Sequence, residues 1–132
     1  MIDFNKAQKK LRFNYPEAQV FAFPDEEAPT EVICEFEPTR QHPEYSIAAA
    51  IIEESAPHHH KVTTEMYQVL DGLLDLHIGS RVVRLARGQT EVIQSGVTHW
   101  AESTQQAWVR VTSRPGWTKE DHILDNVEIE EE

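Results

Sequence analysis

The chain has 132 residues, of which 39% are hydrophobic, enough for one compact domain. Its formal net charge is −11, from 23 acidic and 12 basic residues. A surface of that sign repels phosphate groups, so we expect neither nucleic acid nor an anionic membrane as a partner. No apolar run approaches the roughly 20 residues that span a bilayer, and the N-terminal sequence lacks the apolar region of a secretory signal. We therefore expect a cytoplasmic protein.

Short strands separated by turn residues are predicted between residues 17 and 113. In chain order they are AQVFAF (18–23), EVICEFE (31–37), EYSIAAAIIEE (44–54), HHHK (58–61), EMYQVLDG (65–72), LLDLHIG (73–79), RVVRLARG (81–88), TEVIQSG (90–96), HWAES (99–103) and QAWVRVTS (106–113). This pattern predicts an all-β antiparallel sandwich or barrel. IGSR is expected to be a tight hairpin, with Gly79 at positive φ.

The second predicted strand, EVICEFE, contains the only cysteine of the chain. Alternation places Val32, Cys34 and Phe36 on one face, and mainly charged side chains on the other. A single cysteine excludes an internal disulfide, and its apolar neighbours predict a buried, reduced thiol.

Helix is predicted only at the two ends of the chain. NKAQKKL (5–11) is expected to form one or two turns, and Thr118 with Asp121 resembles a capping box that opens a short helix, KEDHILD (119–125). The expected organisation is one domain in three parts: an N-terminal arm with the first strand (1–29), a barrel core (30–113), and a C-terminal turn or short helix with an acidic tail (114–132).

The stretch HHHKVTTE holds candidate metal ligands. Side chains two residues apart in a strand share a face, so His58 and His60 point one way and His59 the other. The following VTT is long enough to return Glu65 beside them within one hairpin. Two imidazoles and a carboxylate suit a divalent transition metal, and His99 is the candidate fourth ligand. We expect His59 to be a bystander.

Other interpretations apply to isolated histidines. The triplet is a polar run or a tag remnant in the alternative reading, although its mid-chain position argues against a tag. A single histidine is more often a solvated or core residue than a ligand. That interpretation is preferred for His42, His77 and His122.

The two histidine-bearing segments resemble the two motifs of the cupin family. In HHHKVTTEMYQVLDG, the first-motif positions are filled by His58, His60, Glu65 and Gly72. In GQTEVIQSGVTHWAES, the second-motif positions are filled by Gly88, Gly96 and His99, and 15 residues separate the two motifs. The likeness covers about residues 30–113, and SRPGWTKEDHI is similar to the tail of many single-domain cupins.

Three positions depart from the cupin pattern. Ile52 stands where a glycine usually opens the first motif, Gln94 where a proline precedes the second-motif histidine, and Ser103 where an asparagine closes that motif. None of these is a metal ligand in the family. Because proline would have fixed φ at residue 94, a less rigid turn before His99 is expected.

The resemblance implies a cupin jelly-roll β-barrel (a double-stranded β-helix) that binds one divalent transition metal per chain. The implied ligands are His58, His60, Glu65 and His99, a set that suits Fe, Mn, Ni, Zn or Cu. Four protein ligands on a six-coordinate ion leave two positions for water or a chelating small molecule. The imidazoles must be neutral to bind, so metal loss is expected as the pH falls toward about 6.5. A homodimer is also implied.

Tyr67 is the candidate catalytic residue, because it should share the inward face of Glu65. The alternative is a core aromatic with its hydroxyl at the barrel mouth. Weaker candidates for the interior are His77, Ser103 and Arg110, the last preferred on the outer face, while Trp100 and Trp108 are expected to pack in the core or at an interface.

Two main functions are compatible with these features. One is metal-dependent dioxygenase, isomerase, lyase or decarboxylase chemistry on a small oxygenated molecule chelated at the metal. The other is a non-catalytic, metal-containing module that binds or senses a small ligand; a purely structural metal site is a third. An enzyme needs an acid or base near the ion, and Tyr67 is the main group that the sequence offers.

Overall fold

A computed structural model describes residues 2–125 of the chain. The elements in chain order are α1 (Phe4–Asn14), β1 (Val20–Phe23), β2 (Glu31–Glu37), β3 (Ser46–Glu54), β4 (His58–His60), β5 (Thr64–Asp71), β6 (Leu74–Ile78), β7 (Arg81–Leu85), β8 (Thr90–Ile93), β9 (His99–Arg114) and β10 (His122–Leu124). The described strands form a curled antiparallel sheet, which confirms the predicted all-β barrel. None of the described helices is long and apolar enough to cross a bilayer.

The N-terminal helix is longer than the one or two turns predicted. The Asp3 carboxylate accepts a hydrogen bond from Lys6 N at 3.1 Å and caps the first turn. Ala7 and Leu11, which lie about one turn apart on one face, are buried in a cluster that includes residues of β2. The cap and this buried face together extend the helix over 11 residues.

Strand β9 holds the barrel together. Its first residues pair with β6 and, at His99, with β4. Its second half pairs with β3 on one side and β5 on the other. The sequence predicted two strands here; the structure has one element, with Gln106 at a φ of 59° where the set of partners changes. The predicted hairpin between β6 and β7 is present, and Gly79 has a φ of 57°.

Two hydrophobic cores lie on opposite faces of β3. Ala49 and Ile51 belong to the cluster that contains α1, whereas Ala50 and Ile52 belong to the barrel interior. Because both faces of this strand are covered, its sequence is an uninterrupted apolar run rather than an alternating one. Ile52, at the place of the family's glycine, is fully buried.

The prediction of a short C-terminal helix is wrong. Residues 119–121 form a turn, and His122–Leu124 form β10, which pairs with β4. Asp121 N lies 3.3 Å from Thr118 Oγ1, so one half of the predicted capping box is present. The Asp121 carboxylate is directed elsewhere, because it accepts hydrogen bonds from two backbone amides after β4. The acidic end predicted beyond residue 125 lies outside the described residues.

The turn after β5 gives a prediction about stability. Gly72 has a φ of +87°, and a Cβ there would lie 3.2 Å from Ala107 Cα. Left-handed backbone costs an L-residue about 1–2 kcal/mol, and the close backbone contact adds to it. We expect Gly72→Ala to lower the free energy of unfolding by about 2 kcal/mol.

The matched control for that variant is Gly88→Ala. Gly88 has a similar φ of +85°, but a Cβ there would meet no heavy atom within 4 Å. We expect a loss of about 1 kcal/mol, measured for both variants by urea unfolding. Equal losses would contradict a role for the contact with Ala107.

Candidate metal centre

The four predicted ligands come together inside the barrel. One potential ligand atom from each of His58, His60, Glu65 and His99 lies within 4.8 Å of the others. All four side chains are buried, and the most exposed is His58 at 6%. The ring of His59, between the first two, is half-buried and makes its contacts with Asp125 instead. The strand alternation that separated these histidines in the sequence is therefore present.

The ligands do not come from a single hairpin, as the sequence suggested. β4 pairs with β10 and, through His58, with His99 of β9. β5, which carries Glu65, pairs instead with β8 and β9. The long strand β9 thus places the second-motif histidine beside the first pair, and the carboxylate reaches the cluster from a strand that is not paired with β4.

Backbone carbonyls orient two of the imidazoles. His58 Nδ1 lies 2.8 Å from Ala56 O, and His99 Nδ1 lies 3.0 Å from Val97 O. Because a carbonyl oxygen only accepts hydrogen bonds, each Nδ1 is the protonated donor. A neutral ring then has its lone pair at Nε2, and this arrangement is typical of histidines that bind metals.

His60 provides the strongest test of whether a cation fits. Both of its ring nitrogens are buried without a hydrogen-bond partner. Its Nε2 lies 3.0 Å from Glu65 Oε1 as a close ion-pair contact, and His99 Nε2 lies 3.0 Å from the same oxygen. Two ligands at right angles, each about 2.1 Å from an ion, are about 3.0 Å apart. The spacing therefore fits a shared metal ion.

The charges in the cluster also favour a cation. Burial by itself would raise the pKa of Glu65, but the His60 and His99 imidazoles beside it hold that pKa well below its usual value. Burial, then the nearby His99, lowers the pKa of His58 to about 3, so this ring is neutral at pH 7. Burial opposes protonation of His60, but the Glu65 carboxylate raises its pKa overall. A proton therefore competes with a metal at His60.

Tyr67 lies where the sequence placed it. It is buried in the barrel interior on the face of Glu65, and its ring centroid is 6.3 Å from that of His99. Burial, and then the charges of Glu65 and Glu31, raise the pKa of the Tyr67 hydroxyl well above 10. The phenol therefore stays protonated at neutral pH and is suited to donate a hydrogen bond or a proton, not to act as a base.

Glu31 is a half-buried carboxyl group on the inner face of β2 that the sequence did not indicate. It pairs in register with Ile52 and shares the face of Ile33, which packs against the barrel core. Its electrostatic interactions reach both Glu65 and Tyr67. Burial, and then the charge of Glu65, raises the pKa of Glu31 to about 8. Alternation assigned this face of β2 to solvent, because the pattern does not show that both faces of the strand are covered.

The weaker candidates lie outside the cluster. Arg110 is exposed and lies over Phe36, which agrees with the preferred outward position. His77 faces outward and stacks on Trp100 at 4.4 Å. The remaining contacts are these: Ser103 Oγ accepts a hydrogen bond from Gln105 N, Lys10 lies over Trp108, and His42 contacts Glu37 and Tyr45.

His122 is closer to the cluster than the sequence indicated. Its ring stacks on that of His58, with centroids 4.2 Å apart and planes 9° from parallel. Trp117 Nε1 donates a hydrogen bond to His122 Nδ1 at 3.1 Å. Burial, then the neighbouring His60, lowers the pKa of His122. The similarity of this tail to the cupin tail was the available signal, but it gave no direction for the side chain.

A small antiparallel barrel that buries three histidines and one glutamate at this spacing is typical of metal-binding cupins. The family model of the cupin domain matches residues 50–122, and the chain belongs to the cupin family. No curated protein sequence matches the chain.

Solved structures share this fold at low sequence identity. A variant of Streptomyces Pac13 with uridine aligns with a TM-score of 0.72 and 10% identity, over 85% of this chain and 88% of that one. KdgF from Halomonas sp. gives 0.60 and 17%, over 67% and 82%. A variant of Bacillus subtilis oxalate decarboxylase gives 0.71 and 11%, over 83% of this chain and 31% of that one.

Proposed function

We propose that this cupin binds one divalent transition metal ion through His58, His60, Glu65 and His99. The observation that supports this most directly is the buried His60 ring, whose two nitrogens lack a hydrogen-bond partner beside an ionised carboxylate. Buried polar groups are rarely left unpaired, since desolvation without a partner costs about 1–3 kcal/mol. The donor set of imidazole and carboxylate suits Fe, Mn, Ni, Zn or Cu.

The bound ion would coordinate an oxygen of a small oxygenated molecule. When bound, a divalent ion supplies Lewis acidity that polarises an oxygen of such a ligand. Tyr67 would donate a hydrogen bond to that oxygen, because its hydroxyl keeps its proton at neutral pH. Glu31 offers a second proton-carrying group in the same interior. We infer dioxygenase, isomerase or lyase-type chemistry as the reaction class; proteins with this fold include a nucleoside dehydratase and an oxalate decarboxylase.

The metal itself is the first test. We expect about one divalent ion per chain in protein purified without a metal-affinity tag, or after reconstitution of metal-free protein, measured by elemental analysis. Loading should raise the unfolding temperature, because the ion binds only the folded chain. An ion content of zero both as purified and after reconstitution would refute the proposal.

Catalysis is tested separately from binding. Metal-loaded protein would be mixed with dicarboxylates, hydroxy and keto acids, and nucleosides, with products followed by NMR and binding by calorimetry. Turnover that is lost in the Tyr67→Phe variant would support an enzymatic function. Binding without turnover would favour the alternative function, a metal-containing module that binds or senses a small ligand.

The homodimer implied by the family resemblance stays a prediction. Among the described residues, Val82 is 59% exposed, and Met66 and Val92, which pair across β5 and β8, are exposed as well. These are the outward apolar side chains that a contact between two copies would cover.

A further inference from the structure

The C-terminal segment, residues 115–125, lies against the chain segments that carry the candidate ligands. β10 pairs with β4 in antiparallel register, and Asp125 N donates to Pro57 O at 3.0 Å. The ring of His122 stacks on that of His58. The segment therefore covers the strand that bears the first-motif histidines.

Asp121 forms hydrogen bonds with the turn that connects the candidate ligands His60 and Glu65. Its carboxylate accepts hydrogen bonds from Val62 N at 3.0 Å and Thr63 N at 3.1 Å. These residues lie in the turn that leads from His60 to Glu65. Thr63 Oγ1 in turn donates a hydrogen bond to Pro115 O at 3.0 Å. The turn is therefore bonded to the C-terminal segment at two points, Pro115 and Asp121.

Asp125 makes a different connection, between the two cupin motifs. Both of its carboxylate oxygens lie 2.9 Å from Nδ1 of His59, and Thr98 Oγ1 donates to Oδ2 at 2.8 Å. His59 lies between the first two ligands, and Thr98 directly precedes His99. One carboxylate thus links β4 to the start of β9.

This link is partly shielded from water. The side chains of His59 and Asp125 are 25% and 21% exposed. Water and salt weaken such a partly shielded contact less than a fully exposed ion pair. His59, a bystander in the sequence-based prediction, therefore has a defined partner.

We propose that Asp125 is a positioning residue that sets metal affinity by holding His58 and His60 at a fixed spacing from His99. The inference rests on the proposed function, since it concerns the ion at those ligands. The turn before His99 has Gln94 where the family has proline, and a non-proline residue does not fix φ. The Asp125–Thr98 hydrogen bond restrains the turn from outside the barrel.

The test is the affinity of metal-free protein for Zn²⁺, measured by competition with a chelator. We expect Asp125→Ala to weaken binding about tenfold, the lower end of the effect seen when groups that support ligands are removed. Thr98→Val, nearly equal in volume, should weaken it by a smaller factor, and adding it to Asp125→Ala should change nothing more. The control is Asp75→Ala, which removes a carboxylate bound to Arg84 on the surface.

A second readout separates positioning from general stability. The visible absorption of Co²⁺-loaded protein reports ligand geometry, and we expect it to change in Asp125→Ala and stay unchanged in Asp75→Ala. Zn²⁺ affinity within twofold of wild type, with an unchanged Co²⁺ spectrum, would overturn the role of Asp125 while leaving the metal site in place. A wild-type protein that binds neither ion would overturn both proposals.

Discussion

His99→Ala is expected to lower metal affinity at least about 100-fold, a larger effect than removal of any supporting group. His99 is fully buried, its Nε2 faces Glu65 at 3.0 Å, and its Nδ1 is held by Val97 O. Its removal takes away the one candidate ligand contributed by the second motif. Affinity would be measured by chelator competition, and metal content by elemental analysis.

The fold of that variant must be assessed independently. We expect a loss of about 2 kcal/mol in the metal-free state, because Glu65 then keeps a single imidazole neighbour. His99→Gln, which preserves more volume, guards against collapse of the site. His77→Ala is the matched control, since it removes an imidazole from the outer face of the same barrel. One ion per chain in His99→Ala would contradict the ligand assignment.

Glu31→Gln is expected to change how stability depends on pH. The pKa of Glu31 rises from 4.5 to about 8 on folding, through burial and then the charge of Glu65. Below pH 4.5 both states hold the proton, whereas between pH 4.5 and 8 only the folded state does. Unfolding then releases a proton, so the contribution of Glu31 to the free energy of unfolding falls as the pH rises. At pH 8 the variant should be more stable than wild type by about 3 kcal/mol, after discounting for partial exposure.

The measurement is urea unfolding of metal-free protein at pH 4.5 and pH 8. The difference between variant and wild type isolates Glu31, because groups such as His58 titrate in both proteins. Glu26→Gln removes the same charge from an exposed position and should show no such trend. If the free energies of unfolding of variant and wild type differ by the same amount at both pH values, the raised pKa of Glu31 is refuted. With metal bound, the effect should shrink, since the ion offsets the charge of Glu65.

Local sequence patterns were sufficient to predict the cluster of candidate metal ligands. Period-two alternation placed His58 and His60 on one face, and the motif spacing added Glu65 and His99. The turn glycines were also predictable, since positive φ is a local requirement that glycine meets most easily. These features depend on neighbours in the chain, and the sequence displays them directly.

The features that the sequence did not predict depend on distant contacts. β10 is a strand because β4 offers it an edge, although the local pattern KEDHILD favours a helix. Glu31 faces the barrel interior because α1 covers the other side of β2, which alternation alone cannot show. His77, a weaker candidate for the interior in the sequence, instead stacks on Trp100 and lies 3.5 Å from Glu102.

The position of β9 in the sheet has a consequence for synthesis on the ribosome. Four strands that precede it, β3, β4, β5 and β6, pair with it. Until residues 99–114 leave the exit tunnel, the emerging polypeptide can form only the helix and the pairings that do not involve β9, which are β1 with β2, β2 with β3, β5 with β8 and β6 with β7. Contacts of such long sequence separation form slowly, and nascent edges stay open in the meantime. Barrel closure and assembly of the ligand set are thus late, coupled events in the life of each new molecule.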